Sequence, residues 1–447
     1  MSEQAKFKLK FCSSSDAPIA WVAGRRIFLK QFKRTVLSLV EHIQRAGEGD
    51  VLISTTGRYS FSVALLAAWI AHRNAILPPD NHPATLKRVY ERHKIGCEFN
   101  QQWGANLVLE HEPDLSATRG TWLVELAFDT DAVSIYTSGS SGVPVLLKKS
   151  LGNLLHEAGC LQQTLDWPGG AIVGTVPPQH LYGLSFTVLL PWVAGLPWVD
   201  DIPLYPQDLA QVLSQTGATT LVSVPAHYKA LIHDDFPSNS LFAISAAAPL
   251  DELTATHWQA RNGHAIQEIY GSSETGVVAH RRQLESPQWQ AFSSVDVSVN
   301  KGLLKVRSSF IYPAWGYEFQ SSDKAKLCAA EKFELYGRSD SIVKIGGKRI
   351  SLQEIERSLL ECTGVSEVAA LVVPVDSHVR DSAVWVAVAG AEALSISALR
   401  TQLREKLAGT SIPRRLLVVD KLPRNASGKV PQRLLKALFR DNDSSYV

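Results

Sequence analysis

The pattern of apolar and polar positions divides the chain into short β-rich runs and helical segments. Runs such as 51–55 (VLIST), 221–224 (LVSV) and 242–245 (FAIS) read as strands and alternate with stretches of helical spacing, as expected of layered α/β structure. Between 150 and 165, Leu151, Leu154, Leu155, Ala158, Leu161 and Leu165 recur in the three- and four-residue steps of one helix face. Residues 61–71 (FSVALLAAWIA) are apolar apart from Ser62; a bilayer needs about 20 such residues, so a buried helix is expected. From 167 to 199 no residue carries formal charge, yet five prolines and five glycines interrupt the run. Lipid could not satisfy the backbone groups they free, so buried strands joined by turns are expected there and no membrane span.

Near residue 340 the pattern changes. Gly346 and Gly347 are followed by Ser351 and Glu354, a capping box that opens a helix with Leu352, Ile355 and Leu359 inward. Apolar strands follow at 368–375 and 383–390, then a helix from about Ser397 to Leu407 closed by Gly409. The fold class is therefore α/β. A large N-terminal domain of several subdomains at 1–339, with layered sheets and helices, precedes a small α+β domain at 340–447.

Composition narrows the function classes. The 447 residues are 45% apolar and 20% charged, a globular balance with material for roughly two to four compact units. Forty-five basic against 43 acidic residues give a net charge of +2, with no bulk attraction to nucleic acid, so any anion site must be local. Cys12, Cys97, Cys160, Cys328 and Cys362 are widely spaced, without metal or redox spacing. Free thiols in a reducing cytoplasm are expected. The N-terminus lacks the apolar core of a signal peptide.

Candidate chemistry begins in the Ser/Gly-rich segment Ile135 to Pro144, before the helix at 150. Two glycines allow several N–H groups to surround one anion, and four hydroxyls add donors, so the loop suits phosphate or serves as a plain turn. It lacks the Gly-Lys-Ser/Thr ending of a Walker loop. Downstream, Tyr270-Gly-Ser-Ser-Glu274-Thr-Gly sets an aromatic ring, hydroxyls and a carboxylate close together, a set able to stack on adenine, reach phosphate and hold Mg²⁺.

With Tyr336-Gly-Arg338-Ser-Asp340 and Pro423-Arg-Asn-Ala-Ser-Gly428-Lys429 added, the ordered set resembles the adenylate-forming superfamily of acyl-CoA synthetases, aryl acid ligases and adenylation domains. The resemblance covers nearly the whole chain. It implies ATP and Mg²⁺ as cofactors and a two-step reaction: a carboxylic acid becomes an acyl-adenylate, then a thioester on CoA or an acyl carrier protein. In that pattern Thr137, Ser138, Gly139, Ser140, Ser141 and Gly142 enclose the β- and γ-phosphates. Tyr270 flanks the adenine, Ser273 and Glu274 lie at the α-phosphate and metal with Gly271 and Ser272 as cofactor-binding neighbours, and Asp323 holds the ribose hydroxyls. Arg338 contacts nucleotide, Lys429 bridges the carboxylate and α-phosphate, and Asp340 is the hinge of a mobile small domain. His180 matches an acid-pocket position, and Ala246 and Ala247 stand at a strand end lining the acid and adenine.

Two departures from the pattern stand out. Val145-Leu146 replaces the usual Lys-Gly after Pro144, leaving Lys148 and Lys149 as the nearest bases, and Ala246-Ala247 replaces Gly-Gly. The added methyl groups are expected to narrow the pocket. The compact large domain resembles stand-alone ligases of aryl-polyene pathways, which implies a small aryl acid such as hydroxybenzoate. A fatty acid is the alternative, and a non-catalytic nucleotide-binding protein of the same fold is the alternative from another class.

Overall fold

A computed structural model of the chain describes residues 6–13, 17–81, 83–109, 120–138, 144–232, 241–339, 342–345, 348–374, 382–390, 394–406, 412–425 and 428–442. Its contacts gather into two compact units. The first comprises Met1–Ser298, Lys305–Phe319 and Leu327–Phe333; the second comprises Val299–Leu304, Gln320–Lys326 and Glu334–Val447.

In the first unit a five-stranded sheet runs in the order Ile95–Phe99, Asp50–Ile53, Ala75–Leu77, Asp131–Ser138, Pro144–Ser150. The first four strands are parallel and the last returns antiparallel. Val51, Leu52, Ile53, Ala75, Ile76 and Leu77 are all buried, which explains why these strands read as continuous apolar runs without alternation. Helix Arg58–Ile70 is buried at nearly every position, as its apolar run from Val63 to Ile70 requires, and the buried Arg58 at its start donates to Thr187 Oγ1, Gly174 O and Val176 O.

A larger sheet places side by side the strands Trp289–Ala291, Gly276–Arg281, Gln267–Ser272, Phe242–Ser245, Thr220–Ser223, Ile172–Gly174, Trp198–Val199, Ala20–Val22 and Arg25–Ile27. The four strands from Ile172–Gly174 to Gln267–Ser272 are mutually parallel. Their carboxyl ends therefore lie along one edge, where open α/β sheets bind ligands.

Residues 167–199 depart from the expected strands and turns. Between strands Ile172–Gly174 and Trp198–Val199 the chain forms helix Leu181–Leu184, a π-helical turn at Ser185–Leu189 and helix Leu190–Ala194. An apolar run without a two-residue period does not separate a buried helix from a buried strand. Pro191 sits in the first turn of its helix and Gly195 ends it with φ 68°, so both punctuate helices. Among the described residues no helix is long and apolar enough to cross a membrane. None of the five cysteines is in a disulfide.

The second unit contains a three-stranded sheet in the order Val365–Pro374, Ser382–Gly390, Arg415–Val419. Alternation along the central strand sends Val384, Val386 and Val388 into one core with Ile355, Leu359, Leu399 and Leu403. Ala383, Ala387 and Ala389 enter a second core with Leu435 and Phe439. Helices Leu352–Leu360 and Ile396–Lys406 thus share one face and Gln432–Asp441 takes the other, the two-sided use that a period of two allows. The capping contacts expected of Ser351 and Glu354, and Gly409, lie outside the described side chains.

Candidate active site

The hairpin of Asp131–Ser138 and Pro144–Ser150 carries the Ser/Gly-rich segment at its tip, with Ser138 paired to Pro144. Gly139, Ser140, Ser141 and Gly142 lie outside the described residues, and Thr137 and Ser138 are described in backbone alone. Val145 and Leu146 continue the returning strand opposite Thr137 and Tyr136. A β-branched and an apolar residue here extend the ladder where the family pattern has Lys-Gly.

The strand Gln267–Ser272 delivers the aromatic motif to the carboxyl edge of the larger sheet. Tyr270 packs its ring 5.6 Å from Trp289 and 6.0 Å from Phe333, and a register shift follows between Tyr270 and Gly271. The chain then closes on itself. Thr275 N donates to Ser272 Oγ at 3.2 Å, Ser272 N donates to Thr275 Oγ1 at 3.1 Å, and Thr275 Oγ1 donates to Gly276 O at 2.8 Å. Ser273 and Glu274 are thereby held at the crown of a tight turn, both partly accessible. Gly276 takes φ +73°, and a Cβ there would collide with the Glu157 carboxylate, so this position admits glycine alone.

Behind the turn lies a charge cluster that sequence reasoning missed. Lys149 is fully buried, and its Nζ donates to Glu274 O at 2.9 Å and to Phe310 O at 2.7 Å. Burial pulls its pKa down to about 8, against the opposing pull of Glu157 and Glu274. Glu157, also buried, accepts from Ser185 Oγ at 2.7 Å, and burial pushes its carboxyl above the usual range. Lys148 pairs with Asp131 at 2.7 Å. Both lysines that follow the Ser/Gly-rich loop are thus engaged by groups of the protein itself. The available signal was slight: Lys149 stands two residues after the apolar Leu147, on the same face of the returning strand, and Glu157 adjoins Ala158 of the apolar helix stripe.

Along the same sheet edge, Thr175 Oγ1 and Ser223 Oγ are 2.7 Å apart, and His227 Nδ1 is 2.7 Å from Thr175 Oγ1. Ser245 ends the neighbouring strand with its Oγ buried. Tyr182 is fully engaged: its hydroxyl lies 2.9 Å from Ser223 O and 3.1 Å from Ile244 O, and burial raises its pKa well above the ordinary value. His180 caps helix Leu181–Leu184 by its backbone and is half-buried. Ala246 is buried and Ala247 exposed. Ala247 adopts φ +75°, the left-handed conformation a glycine would hold without strain. The backbone shape that suits Gly is therefore kept with a methyl group added.

In the second unit Asp323 and Arg338 face one another, Arg338 Nη1 lying 3.6 Å from Asp323 Oδ1. Gly337, at φ +95°, leaves room for Gln353, whose Oε1 accepts from Arg338 N at 3.1 Å. Lys429 closes a turn in which Asn425 N donates to Lys429 O at 2.8 Å and Lys429 N donates to Asn425 Oδ1 at 2.9 Å. Its side chain is exposed. Asp340 lies outside the described residues.

These parts define a nucleotide-handling enzyme class, and comparison with known proteins agrees. The sequence matches the AMP-binding enzyme family over residues 100–307 and the AMP-binding enzyme C-terminal domain over 354–429. The chain belongs to the AMP-binding enzyme family. It is 27% identical over 347 residues to sulfoacetate–CoA ligase of Cupriavidus necator, a match covering 68% of this chain and 66% of that one. To 4-coumarate–CoA ligase of Rhodobacter capsulatus it is 29% identical over 306 residues, covering 66% and 73%. Against the delta-poly-L-ornithine synthetase of Acinetobacter baumannii the match spans only 26% of the relative's length. In fold it resembles ATP-bound MatB from Rhodopseudomonas palustris, with TM-score 0.75 and 19% identity over 96% of this chain and 97% of that one. The Bacillus subtilis o-succinylbenzoate CoA synthetase in complex with AMP gives TM-score 0.73 and 18% identity, covering 94% and 95%.

Proposed function

We propose that the protein is an ATP-dependent carboxylic acid:thiol ligase. The observation that carries this reading is the closed turn from Tyr270 to Gly276. It offers a packed aromatic face, hydroxyls and the Glu274 carboxylate at the carboxyl edge of a parallel sheet. The chemistry needs ATP because a carboxylate cannot expel oxide; transfer of its oxygen to the α-phosphorus releases pyrophosphate and makes AMP the later leaving group. In the second step a thiol attacks the acyl carbon, AMP departs and a thioester remains.

Thr137 to Gly142 would donate to the β- and γ-phosphates, Tyr270 would stack on adenine and Asp323 would accept from the ribose hydroxyls, with Arg338 holding its carboxylate in place. Lys429 would offset charge as oxygen attacks phosphorus. Among the described residues no cluster of three or more His, Cys, Asp or Glu forms a metal cage. A lone Glu274 suits Mg²⁺, which keeps most of its waters and is bound through one or two carboxylates plus substrate phosphates. Bound there, the ion would neutralise phosphate charge. The small domain at 340–447 is proposed to turn about Asp340 between the two steps.

For the acid we favour a small hydroxylated aryl carboxylate, passed to a pantetheine thiol of a carrier protein or CoA. Thr175, Ser223 and His227, bonded to one another at the carboxyl edge of the sheet, would form the polar row that a ring hydroxyl joins. A hydroxylated acid would gain a bond to this row that an unsubstituted acid forgoes. The test is acid-dependent pyrophosphate release with 4-hydroxybenzoate, benzoate and a medium-chain fatty acid, using hydroxylamine and then CoA as acceptor. Release with none of a broad acid panel would sink the ligase reading. A highest kcat/KM for the fatty acid would sink the aryl assignment alone.

A further inference from the structure

Lys149 belongs to none of the nucleotide-binding motifs, yet its amine is set against the turn that carries Glu274. It lies at the end of the strand returning from the phosphate loop, and its two carbonyl acceptors come from separate parts of the chain, Glu274 and Phe310. The segment around Phe310 is itself anchored. Asn153 Nδ2 donates to Ser309 O at 2.7 Å and to Ile311 O at 3.0 Å, and Tyr312 OH donates to Asp131 Oδ1 at 2.6 Å. The bonds described within the nucleotide turn join Ser272, Thr275 and Gly276 to one another; the bond from Lys149 reaches it from outside.

We propose that Lys149 is a positioning residue for the nucleotide turn, tying the returning strand of the phosphate hairpin to the Glu274 backbone and so setting where the Glu274 carboxylate meets magnesium-bound phosphate. The carbonyl and the side chain of Glu274 share one Cα, so a strut on the first restrains the second within a bond or two. An ammonium is the donor that can serve both carbonyls from one buried point, and charged donors make the stronger bonds. Glu157 supplies the opposite charge that an interior ammonium requires, and its carboxylate packs against Gly276 on the back of the same turn. The two consecutive lysines thereby assume separate duties: Lys148 holds Asp131 at the hairpin base, and Lys149 holds the turn.

This inference rests on the ligase reading, so its test measures binding before any chemistry. Mg·ATP binding is followed by calorimetry with acid and thiol omitted, in the parent protein, in Glu157→Gln and in Lys149→Met/Glu157→Gln. The double variant removes both buried charges together, which keeps the core neutral. We expect it to bind Mg·ATP about tenfold more weakly, the loss of one charge-assisted hydrogen bond. ATP binding in EDTA should change far less, and amide exchange at 272–276 should quicken. Glu157→Gln alone leaves the amine on both carbonyls but removes its opposing carboxylate, so its Mg·ATP affinity should fall between those of the parent and the double variant. Mg·ATP affinity in the double variant within twofold of the parent overturns the proposal, as does an equal loss with and without magnesium. A double variant that fails to fold where Glu157→Gln folds assigns Lys149 to core stability instead. A parent that binds no Mg·ATP overturns the ligase reading and the strut with it.

Discussion

In the first unit Lys149 is buried with its amine on two carbonyls, whereas in the second unit Lys429 ends a closed turn with its side chain in solvent. The difference lies in what each environment demands. A buried ammonium is tolerable only where acceptors and an opposing carboxylate are already in place, so Lys149 is immobile by construction. Lys429 stands in the opposite setting: Asn425 holds its backbone from both sides and its side chain is exposed. In the proposed reaction Lys429 would reach the reacting phosphate in one step and leave it in the next, from a base that Asn425 holds. One lysine is suited to geometry and the other to charge delivery.

The widest gap between the two is expected in folding stability. Lys149→Met strands Glu157 as an uncompensated buried charge, and breaking a buried pair in this way costs about 3 to 5 kcal/mol. Lys429→Ala, at an exposed site, should fall within about 0.5 kcal/mol of the parent. Urea unfolding of both variants checks this, and equal losses would abolish the contrast.

In activity the order reverses. Lys429→Ala should slow acid-dependent pyrophosphate release roughly a hundred- to thousandfold, the value of one preorganised donor in a transition state, about 2.7 to 4 kcal/mol. Thioester formation from presynthesised acyl-adenylate should survive. Near-normal pyrophosphate release would remove Lys429 from the proposed chemistry.

Glu274→Gln sharpens the assignment of the turn. It preserves size and the backbone carbonyl on which Lys149 acts, and removes only the charge a hard cation favours. A raised magnesium half-saturation with unchanged stability is expected; a titration that overlays the parent makes Glu274 structural.

The smallest expected effect is at Ala247, exposed with φ +75°. Left-handed backbone costs a residue with a Cβ about 1 to 2 kcal/mol, partly offset by the extra freedom glycine has when unfolded. Ala247→Gly should therefore stabilise the protein by about 0.5 to 1 kcal/mol. A destabilised variant would mean that the methyl group packs usefully at this edge.

Local chemistry made much of the molecule legible in the primary structure. Helix Leu151–Thr164 follows from its apolar steps, and its start at Ser150 from a capping bond to Asn153 N at 3.1 Å. The strand Ser382–Gly390 follows from β-rich apolar composition, and the closed turn from Ser272 to Gly276 from residues adjacent in sequence, which carry their spacing with them into any fold. The helical character of 181–194 was not legible, because an apolar run buried on all sides has no periodicity to betray it. Nor was the meeting of Lys149 with Glu274 and Phe310, separated from it by 125 and 161 residues. Sequence marks a charged residue but not the acceptors that make its burial possible. Those acceptors are backbone carbonyls, present at every position and therefore silent in the sequence, and only the tertiary structure decides which of them a buried amine will find.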